Sequence, residues 1–396
     1  MPRLAWLEID TDALAANLHA FRVLVPASVR VAAVVKADGY GHGIEVAGRT
    51  FLAAGADVLC VASLDEAMRL RSAGVQAPIL VLFTVPPESA AEAASAGIEL
   101  VAAEEGALRD TLAAWAAARR PAGIAPLRLH VEVETGLGRA GLRPAGVARA
   151  VATILDTPGT EVAGLWTHLA SSHDPALSAA QDERFRAAEA AIGGAGLPLP
   201  PRHRAATGAL LADSAPFDEM IRPGLALYGE VPASFPVAPA REVIAAALRP
   251  AMTLKARPLR VERLATGEQV GYSGLWTAPR PSVVATLPVG YGDGWSRAYG
   301  GAEVLVRGRR VPLVGSIAMD AFAVDVSDVP GVTTEDEFVL LGRQGQAAVT
   351  ATGLAHLRTT ISWEVLASMA FRLPRVYHAG TVLSGTRTLA GESLTR

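Results

Sequence analysis

Cysteine is nearly absent from this chain, and lysine is almost as scarce. A single cysteine, Cys60, excludes an intrachain disulfide and suits a reducing compartment. There is no Cys pair and no HExxH, and the eight histidines are scattered, so no metal centre is expected. No GxxxxGK[ST] loop is present either. Long apolar runs are missing: "PILVLF" stops before Pro86 and Pro87, too short to cross a bilayer, and no membrane association is expected. Near the start, Glu8, Asp10 and Asp12 stand where a secretory signal needs an apolar core, which points to a cytoplasmic protein. A net charge of -3 and a pI near 6.3 lack the basic footprint of a nucleic-acid binder.

What remains is apolar and regular. The 396 residues are 51% hydrophobic, enough for two domains or for one large barrel and a smaller unit. Eight strand-like runs alternate with helical segments: "VAAVVK", "VLCVAS", "PILVLF", "IELVAA", "LRLHVEVE", "EVAGLWTHL", "RHRAAT" and "IRPGLALYG". That count predicts an α/β fold with an N-terminal (β/α)8 barrel, residues 1–239, with an open doubly wound sheet as the alternative. After Pro239 the pattern changes. Runs rich in Val, Leu and Thr, separated by turn residues, predict a mainly β domain over 240–396, with helical spacing returning late in "TATGLAHLRTTISWEVLASMAFRLPR".

Of 36 basic residues only Lys36 and Lys255 are lysine; the other 34 are arginine. Lys36 sits where the run Val31 to Val35 ends, before a turn marked by Asp38, Gly39, Gly41 and Gly43. Arginine stays protonated, whereas a desolvated lysine loses its proton and forms a Schiff base. In a barrel the active site lies at the carboxyl ends of the strands. Lys36 ends the first, His168 the sixth, His203 and Thr207 accompany the seventh, and Arg222 and Gly224 follow in the eighth. Thr207 followed by Gly208 offers a hydroxyl and backbone amides of the kind that hold a phosphate. A Schiff-base lysine with a phosphate site implies pyridoxal 5'-phosphate, an electron sink for carbanions.

In its motifs the chain resembles the alanine racemases. "AVVKADGYGHG" is similar to the lysine signature of that family, and the likeness continues through "VETGLGRAGL", "THLASS", "IRPGLALYG", "VGYSG", "LPVGYGDG", "GSIAMD" and "LPRVY". The resemblance implies a barrel followed by a β domain, and a homodimer with shared active sites acting on a small amino acid. It implies that Lys36 holds the cofactor and serves as base for one enantiomer, and that Tyr272 serves the other from the second subunit, with His168 as its hydrogen-bond partner. Arg222 would face the pyridine nitrogen, braced by His203. Arg139 would touch the cofactor's phenolic oxygen and the substrate carboxylate. Met319 and Asp320 would contribute from the partner, Tyr291 would line the mouth, and Tyr40, Thr207 and the backbone near Gly224 would hold the phosphate. Without the resemblance, Tyr291 reads as a core aromatic, Met319 as a gap-filler, Asp320 as a turn cap and Arg139 as a surface ion pair.

Four places depart from the family pattern. Trp363 stands where a phosphate-binding tyrosine is usual, and its indole N–H donates but cannot accept. Ala206 and Thr207 replace an asparagine and a serine, and "THLASSHD" is one residue longer before its aspartate. Glu132 falls where many members carry a carbamylated lysine, so a glutamate is expected to present a similar charge to Arg139. The reading is an alanine racemase making D-alanine for a cell wall. Racemisation of another small amino acid such as serine remains open, as does a pyridoxal-phosphate-binding protein without turnover. A retained Tyr272 argues against a mere carrier, and a decarboxylase of similar build would carry a different second half.

Overall fold

The structure, a computed structural model, describes residues 3–119, 125–232 and 235–394. The chain enters through strand β1 (Ala5–Asp10), and Asp10 then caps the helix Thr11–Leu24 by accepting from the Ala13 amide at 2.9 Å. Eight parallel strands follow: β2 (Arg30–Val34), β3 (Val58–Val61), β4 (Ile79–Val81), β5 (Ile98–Ala102), β6 (Leu127–Glu132), β7 (Thr160–Trp166), β8 (Arg202–His203) and β9 (Met220–Ile221). They pair in the order β9-β2-β3-β4-β5-β6-β7-β8. Helices cover their outer face, so β3, β4 and β5 are buried along their whole length, which is why they read as unbroken apolar runs.

The ends of that path meet. Arg222 N donates to Ala205 O at 2.8 Å, Glu219 N donates to Arg202 O at 3.2 Å, and Ala206 and Arg222 form an isolated parallel bridge. These contacts bring β8 beside β9 and close the ring, which sets aside the open doubly wound alternative. The eight strands are the eight expected runs.

The second sheet has 12 strands and is built mostly from residues after 250. It also contains β1, antiparallel to β10 (Met252–Ala256) and parallel to the strand Arg375–Ala379. A linear division at 239 does not convey this: Ala5–Asp10 precede the barrel in sequence but hydrogen-bond in the other sheet. The late helical spacing becomes two helices, Ala351–Arg358 and Ser362–Ala367. Among the described residues no helix is long and apolar enough to cross a membrane.

Candidate active site

At the carboxyl ends of the barrel strands lies a cavity of about 450 Å³. Lys36, Tyr40, Arg139, His168, Thr207, Arg222, Gly224 and Trp363 all line it.

The lysine turn explains its own sequence. Ala37, Asp38, Gly39 and Tyr40 form a run at φ of 54°, 55°, 62° and 51°, a left-handed conformation that costs every residue except glycine. The run is held from outside. Asp38 accepts from Arg387 at 2.7 and 2.5 Å and from the Ile44 amide at 3.1 Å, and Glu66 accepts from Ala37 N at 2.6 Å. Gly41 (φ 80°) has no room for a side chain, because a Cβ would collide with the carbonyl of Leu366; its own carbonyl accepts from Arg375. The second domain therefore clamps the turn that presents Lys36.

Lys36 makes no ion pair among the described residues, and burial, then the Arg139 charge, lower its pKa. Its Nζ lies 5.7 Å from the Phe83 ring, and the Arg139 guanidinium lies 4.8 Å from the same ring. Arg139 also reaches Glu132 at 3.5 Å. Glu132 is buried, and that burial raises its pKa against the opposing pull of Arg139 and Arg222. The expected glutamate–arginine contact is therefore formed.

Arg222 is 2% exposed. Its Nη1 donates to the backbone oxygen of His203 at 2.5 Å and to His203 Nδ1 at 2.6 Å, and Nη2 donates to Thr167 O at 2.8 Å. Burial lowers its pKa to about 10, which leaves it charged at neutral pH. His203 braces Arg222 from behind and does not line the cavity. His168 does; burial and the charges of Arg222, Arg139 and Lys36 lower its pKa to about 3, so the ring is neutral.

Thr207 is the first residue of the helix Thr207–Ala212. Its hydroxyl oxygen accepts from Gly224 N at 2.8 Å, which leaves the O–H as the donor and occupies one amide that had been expected to serve a phosphate. A Cβ on Gly224 would stand 2.9 Å from the Tyr40 hydroxyl, so Tyr40, Thr207 and Gly224 form one close-packed corner. Trp363 packs edge-on to Phe235, ring centroids 5.3 Å apart, and both line the cavity with Ala206. Ser172 and His173, from the longer loop, line it too.

Four expected residues lie elsewhere in this chain. Tyr272 is 75% exposed and borders a different cavity with Leu264, Val270 and Phe322. Tyr291 is 44% and Met319 51% exposed. Arg372 joins their two loops, donating to Asp293 at 2.7 Å, to Asp320 at 2.8 Å and to the Met319 carbonyl at 3.3 Å. Sequence reading missed Phe83 and Phe235. Phe83 carried a usable signal, since it ends the third expected strand just as Lys36 ends the first.

Known proteins match this chain in sequence and in fold. Residues 9–232 match the family model described as alanine racemase, N-terminal domain, and residues 251–377 match alanine racemase, C-terminal domain. A protein named alanine racemase from Symbiobacterium thermophilum is 40% identical over 389 residues, covering 96% of this chain and 98% of the relative. The crystal structure of alanine racemase from Bacillus anthracis with bound L-Ala-P superposes at a TM-score of 0.90 and 28% identity, covering 98% of this chain and 99% of that one. A histidine racemase from Leuconostoc mesenteroides subsp. sake gives 0.84 at 26% identity, covering 96% and 99%.

Proposed function

The chain belongs to the alanine racemase family, and from that premise we propose that it is an isomerase interconverting L- and D-alanine with pyridoxal 5'-phosphate. The observation that carries this reading is the single cavity in which a desolvated lysine, two arginines and a hydroxyl-lined corner converge. That set fits the cofactor. Lys36 offers an amine for covalent attachment, Tyr40 and Thr207 offer hydroxyls to a phosphate beside Gly224, and Arg139 and Arg222 offer charge to the ring's polar atoms. The bound cofactor supplies an electron sink for negative charge at the substrate Cα.

The chain's own residues then divide the work of moving one proton. Lys36 is the base on one face of Cα, because burial and the Arg139 charge favour its neutral Nζ. Arg139, steadied by Glu132, orients the substrate carboxylate. Arg222 is a permanent cation in the cavity wall, and it would face the ring nitrogen of the bound cofactor and keep a proton off that atom, which would moderate the electron sink and disfavour transamination. Tyr272 is the base on the other face, and its exposure beside a separate cavity supports its acting in the active site of a partner subunit within a homodimer, where His168 would receive it. Met319, Asp320 and Tyr291 would line the mouth from the same direction. The buried, unpaired Cys60 supports a cytoplasmic setting.

A second reading, racemisation of another small amino acid such as serine, is favoured by Ala206 and Trp363 in the cavity wall. One experiment separates the two. The protein supplied with pyridoxal 5'-phosphate is offered L-alanine and L-serine in turn and the D-enantiomers are measured, with the visible absorbance of the lysine-linked cofactor recorded alongside. Alanine turned over well above serine supports the first reading, and serine above alanine the second. Absorbance without turnover of either overturns alanine and serine as substrates and leaves a more specialised substrate or a binding protein.

A further inference from the structure

Arg222 is one end of a buried hydrogen-bond chain that crosses the barrel interior. Its Nη1 donates to His203 Nδ1 at 2.6 Å; His203 Nε2 and His130 Nδ1 are 2.8 Å apart; His130 Nε2 and Glu99 Oε2 are also 2.8 Å apart. Glu99 then meets Arg128 at 3.2 Å. Glu99 lies on β5, His130 on β6, His203 on β8, and Arg222 just beyond β9. All four are buried.

Donor chemistry leaves one proton arrangement. A guanidinium can only donate, so His203 Nδ1 accepts and the ring proton sits on Nε2. That N–H donates to His130 Nδ1, so His130 also carries its proton on Nε2, pointed at Glu99. The carboxylate is the acceptor at the end, and every link points the same way. Burial and then the Arg222 charge lower the pKa of His203, while at Glu99 the penalty of burial is outweighed only by the hydrogen bond from His130 together with the positive charges around it, Arg128 and Arg30 among them, which matches a neutral His203 ring and an anionic carboxylate.

β7 is shaped to let the chain through. The register between β6 and β7 shifts after Leu129, which sets Gly164 opposite His130. A Cβ on Gly164 would collide with His130 Nδ1 and crowd His203 Nε2. Gly164 is not among the positive-φ glycines, so it serves here for space. Trp166 stacks on His203 at 5.7 Å and 7°, and the Arg222 guanidinium sits 4.7 Å from the same indole. Barrel interiors are usually filled by branched apolar side chains, and polar groups placed there are costly unless every one is matched.

We propose that Glu99 and His130 are positioning residues for Arg222, fixing His203 in the one tautomer that accepts from the guanidinium and so aiming Arg222 into the cavity. Without the terminal anion, the opposite tautomer of His203, which would set an N–H against Arg222 Nη1, becomes accessible. The consequence for catalysis rests on the function proposed above; the proton arrangement does not.

Imidazole nitrogen spectra of the cofactor-free protein test the arrangement directly. His130 and His203 are expected as Nε2–H tautomers, while His42, whose Nδ1 donates to the carbonyls of Gly39 and Tyr40, is expected as Nδ1–H and serves as the contrast. A His203 that is Nδ1–H or doubly protonated overturns the relay, whatever the enzyme catalyses. Glu99→Gln, loaded with pyridoxal 5'-phosphate, is then expected to lose roughly tenfold or more in kcat at little-changed KM, with a shifted visible band of the lysine-linked cofactor. Wild-type kcat and band overturn the positioning role, and so does a lowered Tm with kcat and band unchanged. If Glu99→Gln does not fold, Gly164→Ala parts the two histidines without removing a charge, and the same outcomes apply. A wild-type protein that racemises nothing would sink the functional reading and leave the tautomer result standing.

Discussion

The two halves of the candidate site are built differently. Residues from the barrel, Lys36, Tyr40, Arg139, His168, Thr207 and Arg222, converge in one cavity, and Arg222 is fixed there by several partners. Those from the second domain, Tyr272, Tyr291, Met319 and Asp320, lie outside that cavity, and Tyr272 is 75% exposed. A buried group needs its partners supplied by its own fold, because unmatched polar burial is costly. An exposed one is matched by water and is free to meet something else. On the proposed function, the contrast teaches that one chain would hold the cofactor but supply only half of a two-base site.

The sharpest way to break that comparison is subunit mixing. Lys36→Ala and Tyr272→Phe, each alone, are expected to lower kcat by on the order of 10³ or more, since each removes one of two proton-transfer groups. Mixing the two inactive proteins restores activity if Tyr272 serves the neighbouring site. No recovery despite demonstrated subunit exchange would place both residues in a single chain and end the contrast.

Acid should act on the buried half. His42, His168 and His203 are all held below their ordinary value by burial, His42 to about 4 and His168 to about 3. A depressed folded-state value means the unfolded chain binds the extra protons first. Stability is therefore full above the unfolded value of about 6.5 and falls as pH drops toward the folded values, by up to about 1.4 kcal/mol per pH unit per histidine. Urea midpoints should decline steeply between pH 6.5 and pH 4.5, and His42→Asn should remove about a third of that slope. A flat profile would mean that the rings are protonated in the folded protein.

The smallest expected effect lies where the halves meet the substrate. Glu132→Gln should raise KM for alanine by about tenfold, or roughly 1.4 kcal/mol, with a lesser change in kcat, because Arg139 loses its charged partner. Unchanged KM would show that Arg139 needs no anion to hold its place.

Much of this was legible from residues in order. The eight apolar runs were found because a strand buried on both faces leaves a local signature. The lysine stood out by composition, and the turn after it by its glycines. The Asp38–Arg387 pair was not legible, because its partners lie 349 residues apart and meet only when the second domain docks. Nor was the Glu99–His130–His203 relay, since a charged residue inside an apolar strand gives no sign of what it faces. Thr207 was read as a hydroxyl for a phosphate, and its further tie to the Gly224 amide across 17 residues had no local sign.

By itself the sequence determined the strand count, the order of the two domains, the family and the lone lysine at the end of the first barrel strand, because these rest on spacing and residue type along the chain. Only the tertiary structure decided that the barrel closes, that β1 belongs to the other sheet, which groups satisfy each buried charge, and that Tyr272 stands apart from Lys36. Those outcomes depend on distances between strands that meet only when the ring closes, and no local pattern carries them.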